Sequence, residues 1–267
     1  LPTKPEQSDL LMAMYGRHGE APLPIVCATS ASDCFDMTIE AARIALKYMT
    51  PVILLTDGYI SQGTNPWKIP DLDTLPDLSV KFATDKATYA PYKRDAETLA
   101  RMWAIPGTPG LEHRIGGLEK EDITGLVCHE PANHEKMVHL RQEKVDRIAN
   151  DIPLAHVEGE QEGELLIVGW GGTYGAIKES FDHLRAGGKK ISYMHLRHLN
   201  PLPKNVGEIL ARFKKIVVPE LNNGQLSKLF EMKFHREILG IRKIQGTPLR
   251  EHEVTDYVIE LLNQEAK

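Results

Sequence analysis

Two groups of residues in the second half of the sequence have types and spacings that could support chemistry. Residues 169–175, GWGGTYG, form a Gly-rich turn after a predicted strand, and such a turn can present backbone N–H groups to a phosphate. Tyr174 occupies the place of the third glycine in the dinucleotide-binding fingerprint, and the next strand ends in His195, Leu196 and Arg197 without an acid. The pattern therefore favours a tight structural turn over a dinucleotide site.

Histidines are the other candidates. His195 and His198 are three apart after a strand, but no third metal ligand is evident nearby, so we expect them to line an interface or crevice rather than hold a metal. His129, His134 and His139 are spaced by five, which on a helix turns each by about 140° from the last, so they share no face. The sequence also lacks a Gly-x-Ser-x-Gly elbow and a P-loop, so its residues alone indicate no self-contained catalytic constellation.

Composition narrows the classes of partner. The 267 residues are 42% hydrophobic and 26% charged, as in ordinary globular proteins, and carry a net charge of −5 without a block of like charge. This argues against nucleic-acid or anionic-membrane partners, and no apolar run approaches the roughly 20 residues of a membrane span. The three cysteines, Cys27, Cys34 and Cys128, form no CxxC pair, so we expect no metal on this chain and a cytoplasmic location.

The elements that would position these residues follow an α/β pattern. Residues 25–28 and 52–56 are apolar runs typical of buried parallel strands, and an amphipathic helix over residues 33–49 connects them. From residue 163 onward four predicted strands alternate with four helices, which indicates a doubly wound parallel sheet. The four strands are predicted at residues 165–168, 190–194, 216–218 and 241–244.

Residues 61–117, which we call the arm, interrupt this pattern. Prolines break every short run, yet Trp67, Tyr89, Tyr92 and Trp103 are costly to leave in water. The arm could be a flexible surface insertion, but an ordered segment that docks on another domain or subunit is favoured. A helix over residues 134–150 and an acidic linker up to residue 163 are predicted to follow.

The opening of the sequence influences the expected domain organisation. The sequence starts without Met and runs at once into a helix, as if the chain entered a sheet partway through, so we expect the C-terminal part of a larger subunit. Two domains are predicted. Residues 1–162 would hold the end of a first α/β domain, the arm and the linker helix, and residues 163–267 would form the second α/β domain.

Five stretches resemble a known family. They are LPTKPEQSDLLMAMYGRHGE, SDCFDMTIEAARIALKYMTPVILLTDGYI, WAIPGTPGLEHRIGGLE, PANHEKMVHLRQEKVDRIA and PELNNGQL, the last at residues 219–226. Together they resemble the α subunits of 2-oxoacid:ferredoxin oxidoreductases, most of all the 2-oxoglutarate members. The resemblance covers essentially the whole chain, and its first and last stretches are the specific ones.

The resemblance implies a fold and a function. The fold would be the remainder of a thiamine-pyrimidine-binding parallel-sheet domain followed by a transketolase-C-terminal-like domain. The enzyme would use thiamine diphosphate to decarboxylate a 2-oxoacid, reduce ferredoxin through a [4Fe–4S] cluster and pass the acyl group to coenzyme A. A β subunit would supply the diphosphate–Mg²⁺ site and the cluster cysteines, so we expect a hetero-oligomer and no oxidation activity from this chain alone.

The resemblance also places the reacting groups. The catalytic Glu and the Arg for the substrate carboxylate are expected upstream of Leu1, so neither can be assigned here. Pro2, Thr3, Lys4 and Gln7 would shape the substrate side, although a structural turn is an equal alternative for each. Two rival functions remain at this point: a transketolase or pyruvate-dehydrogenase-type subunit, and a non-enzymatic Rossmann-like nucleotide-binding or assembly module.

One short acidic segment also departs from the family pattern. Residues 119–122 read Glu-Lys-Glu-Asp, where many relatives have Glu-His-Asp. A role of that histidine is therefore not carried over to this chain.

Overall fold

Two sheets organise the computed structural model, which describes residues 4–264. The first sheet contains β1 (Ile25–Cys27), β2 (Ile53–Leu55) and β6 (His198–Asn200) in the order β2-β1-β6. The first two strands run parallel, with Ile25 opposite Ile53, whereas β6 is antiparallel to β1. The segment that carries β6 follows residue 163 in the chain, so the first sheet takes one strand from the far side of the predicted domain boundary.

The second sheet contains four strands in the order β3-β5-β4-β7. The central strands β4 (Gly163–Trp170) and β5 (Ile191–Leu196) are parallel to each other, and β4 is also parallel to β7 (Phe213–Val217). The edge strand β3 (Val157–Glu158) is antiparallel to β5 and comes from the predicted linker. The sheets are thus mainly parallel, as the sequence predicts, with antiparallel edges that it does not.

One predicted strand was wrong. Residues 241–244 form no strand, and their neighbourhood meets the sheet only in two single bridges, Val217 with Leu239 and Glu220 with Arg242. Backbone bonds still join the two segments, since the N–H groups of Val218 and Glu220 donate to the carbonyls of Leu239 and Ile241 at 2.8 Å. The fourth strand of the sheet is β3 instead.

Helices cover the sheets on both faces. The set comprises α1 (Leu10–Tyr15), α2 (Asp33–Tyr48), α3 (Gly58–Gln62), α4 (Pro131–Arg147), α5 (Tyr174–Ala186), α6 (Val206–Ala211), α7 (Gln225–Phe234) and α8 (Glu251–Asn263). On one face of β4, Leu165 and Ile167 pack in a core with residues of α5 and α8. On the other face, Leu166 and Val168 share a core with Ile25 of the first sheet. One hydrophobic core therefore spans the predicted domain boundary.

The arm has little regular structure but contacts the body of the chain. Apart from the end of α3 and a 3₁₀ turn at Leu72–Thr74, the arm holds only single bridges, such as Phe82 with Trp103. Trp103 Nε1 donates to the carbonyl of Leu46 on α2 at 2.9 Å, and the Trp67 ring lies 5.2 Å from that of Phe35. The arm is therefore fixed to α2 of its own chain, and its docking on a second subunit stays a prediction.

None of the helices in residues 4–264 combines the length and apolar character that crossing a membrane requires.

Candidate functional site

A small crevice lies where the carboxyl ends of β1, β2 and β4 meet the N-terminal segment. Ligands of parallel α/β sheets usually bind outside the carboxyl ends of the strands, which makes this crevice the candidate site. Its free volume is about 30 Å³, room for water rather than for a cofactor ring. The lining residues are Glu6, Gln7, Ser8, Asp9, Cys27, Leu55, Thr56, Asp57, Trp170 and Gly171.

Of Lys4 and Gln7, the two predicted site residues that the structure describes, Gln7 lines this crevice. Its side chain is 5% exposed, and its Nε2 donates to the Trp170 carbonyl at 2.7 Å. Its Oε1 accepts from the Leu221 N–H at 3.0 Å, and its own carbonyl accepts from Asn222 Nδ2 at 2.9 Å. Gln7 therefore joins the N-terminal segment to the end of β4 and to the segment that follows β7.

Lys4 is held through its backbone. Its carbonyl accepts a hydrogen bond from the Gly58 N–H at 2.7 Å, while its side chain is exposed. A Cβ at Gly58 would come within 2.4 Å of the Lys4 Cβ, so this close approach requires glycine. Pro2 and Thr3, the other predicted members of the substrate-side loop, lie outside the described residues.

The Gly-rich turn of residues 169–175 packs tightly against Gln7 and Asp57. Gly171 has a φ of +57°, and a Cβ there would lie 2.8 Å from Gln7 Nε2. A Cβ at Gly172 would come within 2.3 Å of Asp57 Oδ2. The structural interpretation of the turn is therefore confirmed, since its glycines make room for two neighbouring side chains.

Asp57 links the end of β2 to the Gly-rich turn. Its Oδ1 accepts from the N–H groups of Tyr59 and Ile60 at 2.9 and 3.0 Å, which caps α3, and its Oδ2 accepts from Gly172 N at 3.0 Å. Burial raises the pKa of the carboxyl, while these three backbone donors act to lower it. Sequence reasoning missed this role because Gly172 lies 115 positions further along the chain.

Glu220 is the second residue that sequence reasoning missed. Its side chain is fully buried, and Oε1 accepts from Trp170 Nε1, Asn222 Nδ2 and Leu226 N at 2.8–3.2 Å. Its Oε2 accepts from the Ser227 N–H at 3.1 Å and from the Ser227 hydroxyl at 2.8 Å. The carboxylate thus binds the first turn of α7, where the helix dipole favours negative charge. The sequence signal that could have pointed to Glu220 was the family-specific PELNNGQL stretch, in which it is the second residue.

Two titratable groups, one lining the crevice and one near it, are kept neutral by burial. The pKa of the Cys27 thiol is raised to about 12, and its Sγ lies 3.3 Å from the Leu196 carbonyl. The pKa of His195 is lowered to about 3, and its Nδ1 is hydrogen-bonded to the Tyr193 hydroxyl at 2.7 Å. Neither group carries charge at neutral pH, so the charges near this end of β1 belong to carboxylates and to Arg197, which pairs with Asp33.

Two of the other candidate histidines have carboxylate partners, whereas His129 and His139 are exposed. His198 Nε2 lies 3.0 Å from Glu40, and His134 Nδ1 lies 2.8 Å from Glu119. Within residues 4–264, no three His, Cys, Asp or Glu side chains are grouped so as to hold a metal ion. Lys120, at the position that departs from the family pattern, is 2% exposed, and its Nζ donates to the Gly116 carbonyl at 3.0 Å. This lysine therefore fixes its own loop.

These residues do not fit a whole thiamine diphosphate. A diphosphate needs cationic or N–H donors, but the charged side chains that line the crevice are the carboxyl groups of Glu6, Asp9 and Asp57. The free volume is also far smaller than the 300–1,000 Å³ typical of a ligand pocket. The crevice could instead form one wall of a larger site, the rest of which would come from residues outside this chain.

Comparison with known proteins identifies the family. The family model of pyruvate flavodoxin/ferredoxin oxidoreductases that describes their thiamine-diphosphate-binding domain matches residues 1–129. The model for core domain II of pyruvate:ferredoxin oxidoreductase matches residues 163–254. The two matches follow each other along the chain, and both models describe ferredoxin-linked oxidoreductases.

Individual relatives agree with these models. The chain is 48% identical over 259 residues to the 2-oxoglutarate oxidoreductase subunit KorA of Mycobacterium tuberculosis, which covers 97% of this chain and 39% of the relative. It is 30% identical to the 2-oxoglutarate synthase subunit KorA of Archaeoglobus fulgidus, over 86% of this chain and 59% of that one. The chain therefore spans well under two thirds of the length of these relatives.

A solved structure shows the same fold. The 2-oxoglutarate:ferredoxin oxidoreductase of Magnetococcus marinus, described with 2-oxoglutarate, coenzyme A and succinyl-CoA bound, superposes with a TM-score of 0.91 at 33% identity. The match covers 97% of this chain and 46% of that one. The mixed α/β fold with parallel sheets is therefore confirmed, and the chain belongs to the 2-oxoacid:ferredoxin oxidoreductase family, among its α subunits.

Proposed function

We propose that the chain is the α-subunit part of an enzyme that oxidises a 2-oxoacid, 2-oxoglutarate before others, with reduction of ferredoxin. Carbon dioxide and an acyl-CoA, succinyl-CoA in this case, would be the products. The observation that carries the proposal is the TM-score of 0.91 over 97% of the chain to an enzyme described with 2-oxoglutarate, coenzyme A and succinyl-CoA bound. The 48% identity to a 2-oxoglutarate oxidoreductase subunit supports the same substrate.

The proposal divides the cofactors between polypeptides. Thiamine diphosphate, when bound, supplies stabilisation of the carbanion left by decarboxylation. We place its Mg²⁺-diphosphate end and the [4Fe–4S] cluster on a β subunit. Two observations support this division: the crevice is lined by carboxyl groups, and the three cysteines of this chain are one fewer than the four thiolates that hold such a cluster.

Within this chain, the proposed task is to hold the substrate side of the site in place. Gln7 fixes the segment that carries Lys4, and Asp57 fixes the turn on which that segment lies. Pro2 and Thr3 belong to the same proposed loop. In the assembled enzyme, Gln7→Leu should therefore raise KM for the 2-oxoacid more than it lowers kcat; a fall in kcat alone would contradict this positioning role.

The proposed assembly is a hetero-oligomer in a reducing compartment, the cytoplasm. Ferredoxin would be its electron acceptor. All three cysteines are free thiols, which supports a reducing environment.

The deciding experiment is purification of the tagged chain from its native cells, together with the polypeptides that bind it. We expect a companion polypeptide with an iron–sulfur absorption band, and viologen reduction that requires both 2-oxoglutarate and coenzyme A. The purified chain alone should reduce no viologen. Activity of the chain alone would overturn the division of cofactors, and a companion without iron would favour a pyruvate-dehydrogenase-type subunit.

A nucleotide-binding module is tested separately. Calorimetric titration of the chain with NAD should show no binding, because Gly171 and Gly172 of the Gly-rich turn are packed against Gln7 and Asp57. Tight NAD binding would favour the non-enzymatic alternative.

A further inference from the structure

The N-terminal segment of residues 6–11 is bonded at three places to the second half of the chain. The Gly246 N–H donates to Glu6 Oε1 at 3.2 Å, and the segment that follows β7 holds Gln7. Gln225, the first residue of α7, makes the third attachment. All three attachments come from the part of the chain that matches core domain II, so this domain fixes the segment.

The side-chain amide of Gln225 bonds this segment on both sides of the point where α1 begins. Its Oε1 accepts from the Leu11 N–H at 2.9 Å, and its Nε2 donates to the Ser8 carbonyl at 2.8 Å. Leu11 is in the first turn of α1, where N–H groups have no partner within the helix. The N-cap residue Asp9 makes no side-chain cap hydrogen bond. Gln225 therefore supplies from α7 the cap that α1 lacks at its own N-terminus.

Gln225 is itself fixed in place. Its backbone N–H donates to Asn222 Oδ1 at 2.8 Å, and Asn222 Nδ2 donates to the Gln7 carbonyl at 2.9 Å. One chain of hydrogen bonds thus runs from Gln7 through Asn222 and Gln225 to Ser8. Because a primary amide offers a donor and an acceptor at once, this side chain satisfies both a carbonyl and an N–H group, which neither an apolar nor an ionised acidic side chain can do.

The residues beside this amide belong to the wall of the crevice. Ser8 and the adjoining Asp9 line the crevice, and the Ser8 hydroxyl donates to Asp9 Oδ1 at 3.1 Å. Gln225 is not among the lining residues, so it acts on that wall only through the segment that it bonds. Leu10 is fully buried in the core that also contains Leu226 of α7, so we expect α1 to stay packed on α7 when the amide is removed.

We infer that Gln225 is a positioning residue for the 2-oxoacid, because it sets the register of residues 6–11 and with it the crevice wall and the loop that carries Lys4. The inference rests on the proposed function for its substrate, whereas the contacts of Gln225 lie within this chain. Loss of the amide leaves the Leu11 N–H and the Ser8 carbonyl without their partner, so the segment loosens while the fold persists. The substrate then meets a wall that must first be ordered, which raises KM and spares kcat.

The test uses the enzyme complex purified with the tagged chain, with 2-oxoglutarate varied at saturating coenzyme A and viologen as the acceptor. Gln225→Leu should raise KM for 2-oxoglutarate about threefold or more, as loss of net hydrogen bonds predicts, and leave kcat within about twofold of the parent. Gln225→Glu keeps an acceptor for the Leu11 N–H and should give a KM between those of the parent and Gln225→Leu. Gln142→Leu, which removes an amide that bonds Asp146 on its own helix α4, is the matched control and should change neither constant.

Hydrogen exchange of the chain tests the same contacts without turnover. Gln225→Leu should speed exchange in residues 8–15 about tenfold or more, while β4 keeps its protection and Gln142→Leu changes neither region. Unchanged exchange there, a lower kcat with unchanged KM, or an equal KM for Gln225→Leu and Gln142→Leu would overturn the inference. A parent complex that oxidises no 2-oxoacid would refute the proposed function and the substrate named here with it, whereas faster exchange would still establish Gln225 as the residue that positions the crevice wall.

Discussion

Two regions of the molecule treat polar and apolar side chains differently. One is the junction, the hydrogen-bonded network around Gln7, Asp57 and Glu220, and the other is the arm. In the junction, buried polar atoms are satisfied by bonds between segments distant in sequence, such as Gln7 with Trp170 and Leu221. In the arm, large apolar side chains face outward, with Ile69 77%, Leu72 76% and Ile115 81% exposed. The junction thus finds its hydrogen-bond partners within this chain, whereas the arm exposes apolar side chains to solvent.

This difference has an energetic meaning. A buried polar group without a partner costs about 1–3 kcal/mol, so the junction depends strongly on every member of its network. The arm uses mostly local turns, such as those closed by Asp77 and Asp95, so a change there should stay local.

The largest expected effect is at Glu220. Glu220→Ala leaves the buried donors of Trp170, Asn222, Leu226 and Ser227 without their acceptor, and we expect a loss of about 3–5 kcal/mol in the free energy of unfolding. Urea denaturation measures it. Glu179→Ala, on the exposed face of α5, is the control and should stay within about 0.5 kcal/mol of the parent. Equal effects of the two changes would refute the special position of the junction.

Gly172 should come next. Gly172→Ala places a Cβ 2.3 Å from Asp57 Oδ2, so the turn or the carboxylate must move, at an expected cost of about 1–3 kcal/mol. Gly175→Ala is matched to it, since it lies in the first turn of α5 with open space around the new Cβ. That control should be neutral or stabilising by up to about 1 kcal/mol. A tolerated Gly172→Ala would show that the junction is softer than its contacts indicate.

These positions also show how far sequence reasoning reached. The strands at Ile25–Cys27 and Ile53–Leu55 and helix α2 could be predicted because apolar periodicity is a local property of the chain. The partners of Gln7 and Glu220 could not, because their bonds join residues up to 215 positions apart. The antiparallel β3 was missed for the same reason, since Val157 is fixed by its distant neighbour Met194 rather than by its own sequence.

Lys144 tests the charge balance beside the arm. Because its pKa is lowered from 10.5 to about 8 in the folded state, the folded chain binds this proton less tightly than the unfolded chain. The group therefore costs stability below about pH 8, and that cost disappears as the pH rises towards 10.5. We expect about 1–2 kcal/mol of added stability across this window, after allowance for solvent screening. Denaturation of the parent and Lys144→Gln at pH 7.5 and 10 measures it, and a rise that persists in the variant would assign the effect to other groups.

The smallest effect should be that of Trp103→Phe. The change keeps an aromatic ring but removes the N–H bond to the Leu46 carbonyl, at a cost of about 1 kcal/mol. Because this bond fixes the arm to α2, hydrogen exchange should rise in residues 77–103 while β4 and β5 keep their protection. Trp67→Phe keeps the ring beside Phe35 and serves as the control. Faster exchange in both sheets after Trp103→Phe would mean that the arm and the junction unfold as one unit, and the contrast between the two regions would then be wrong.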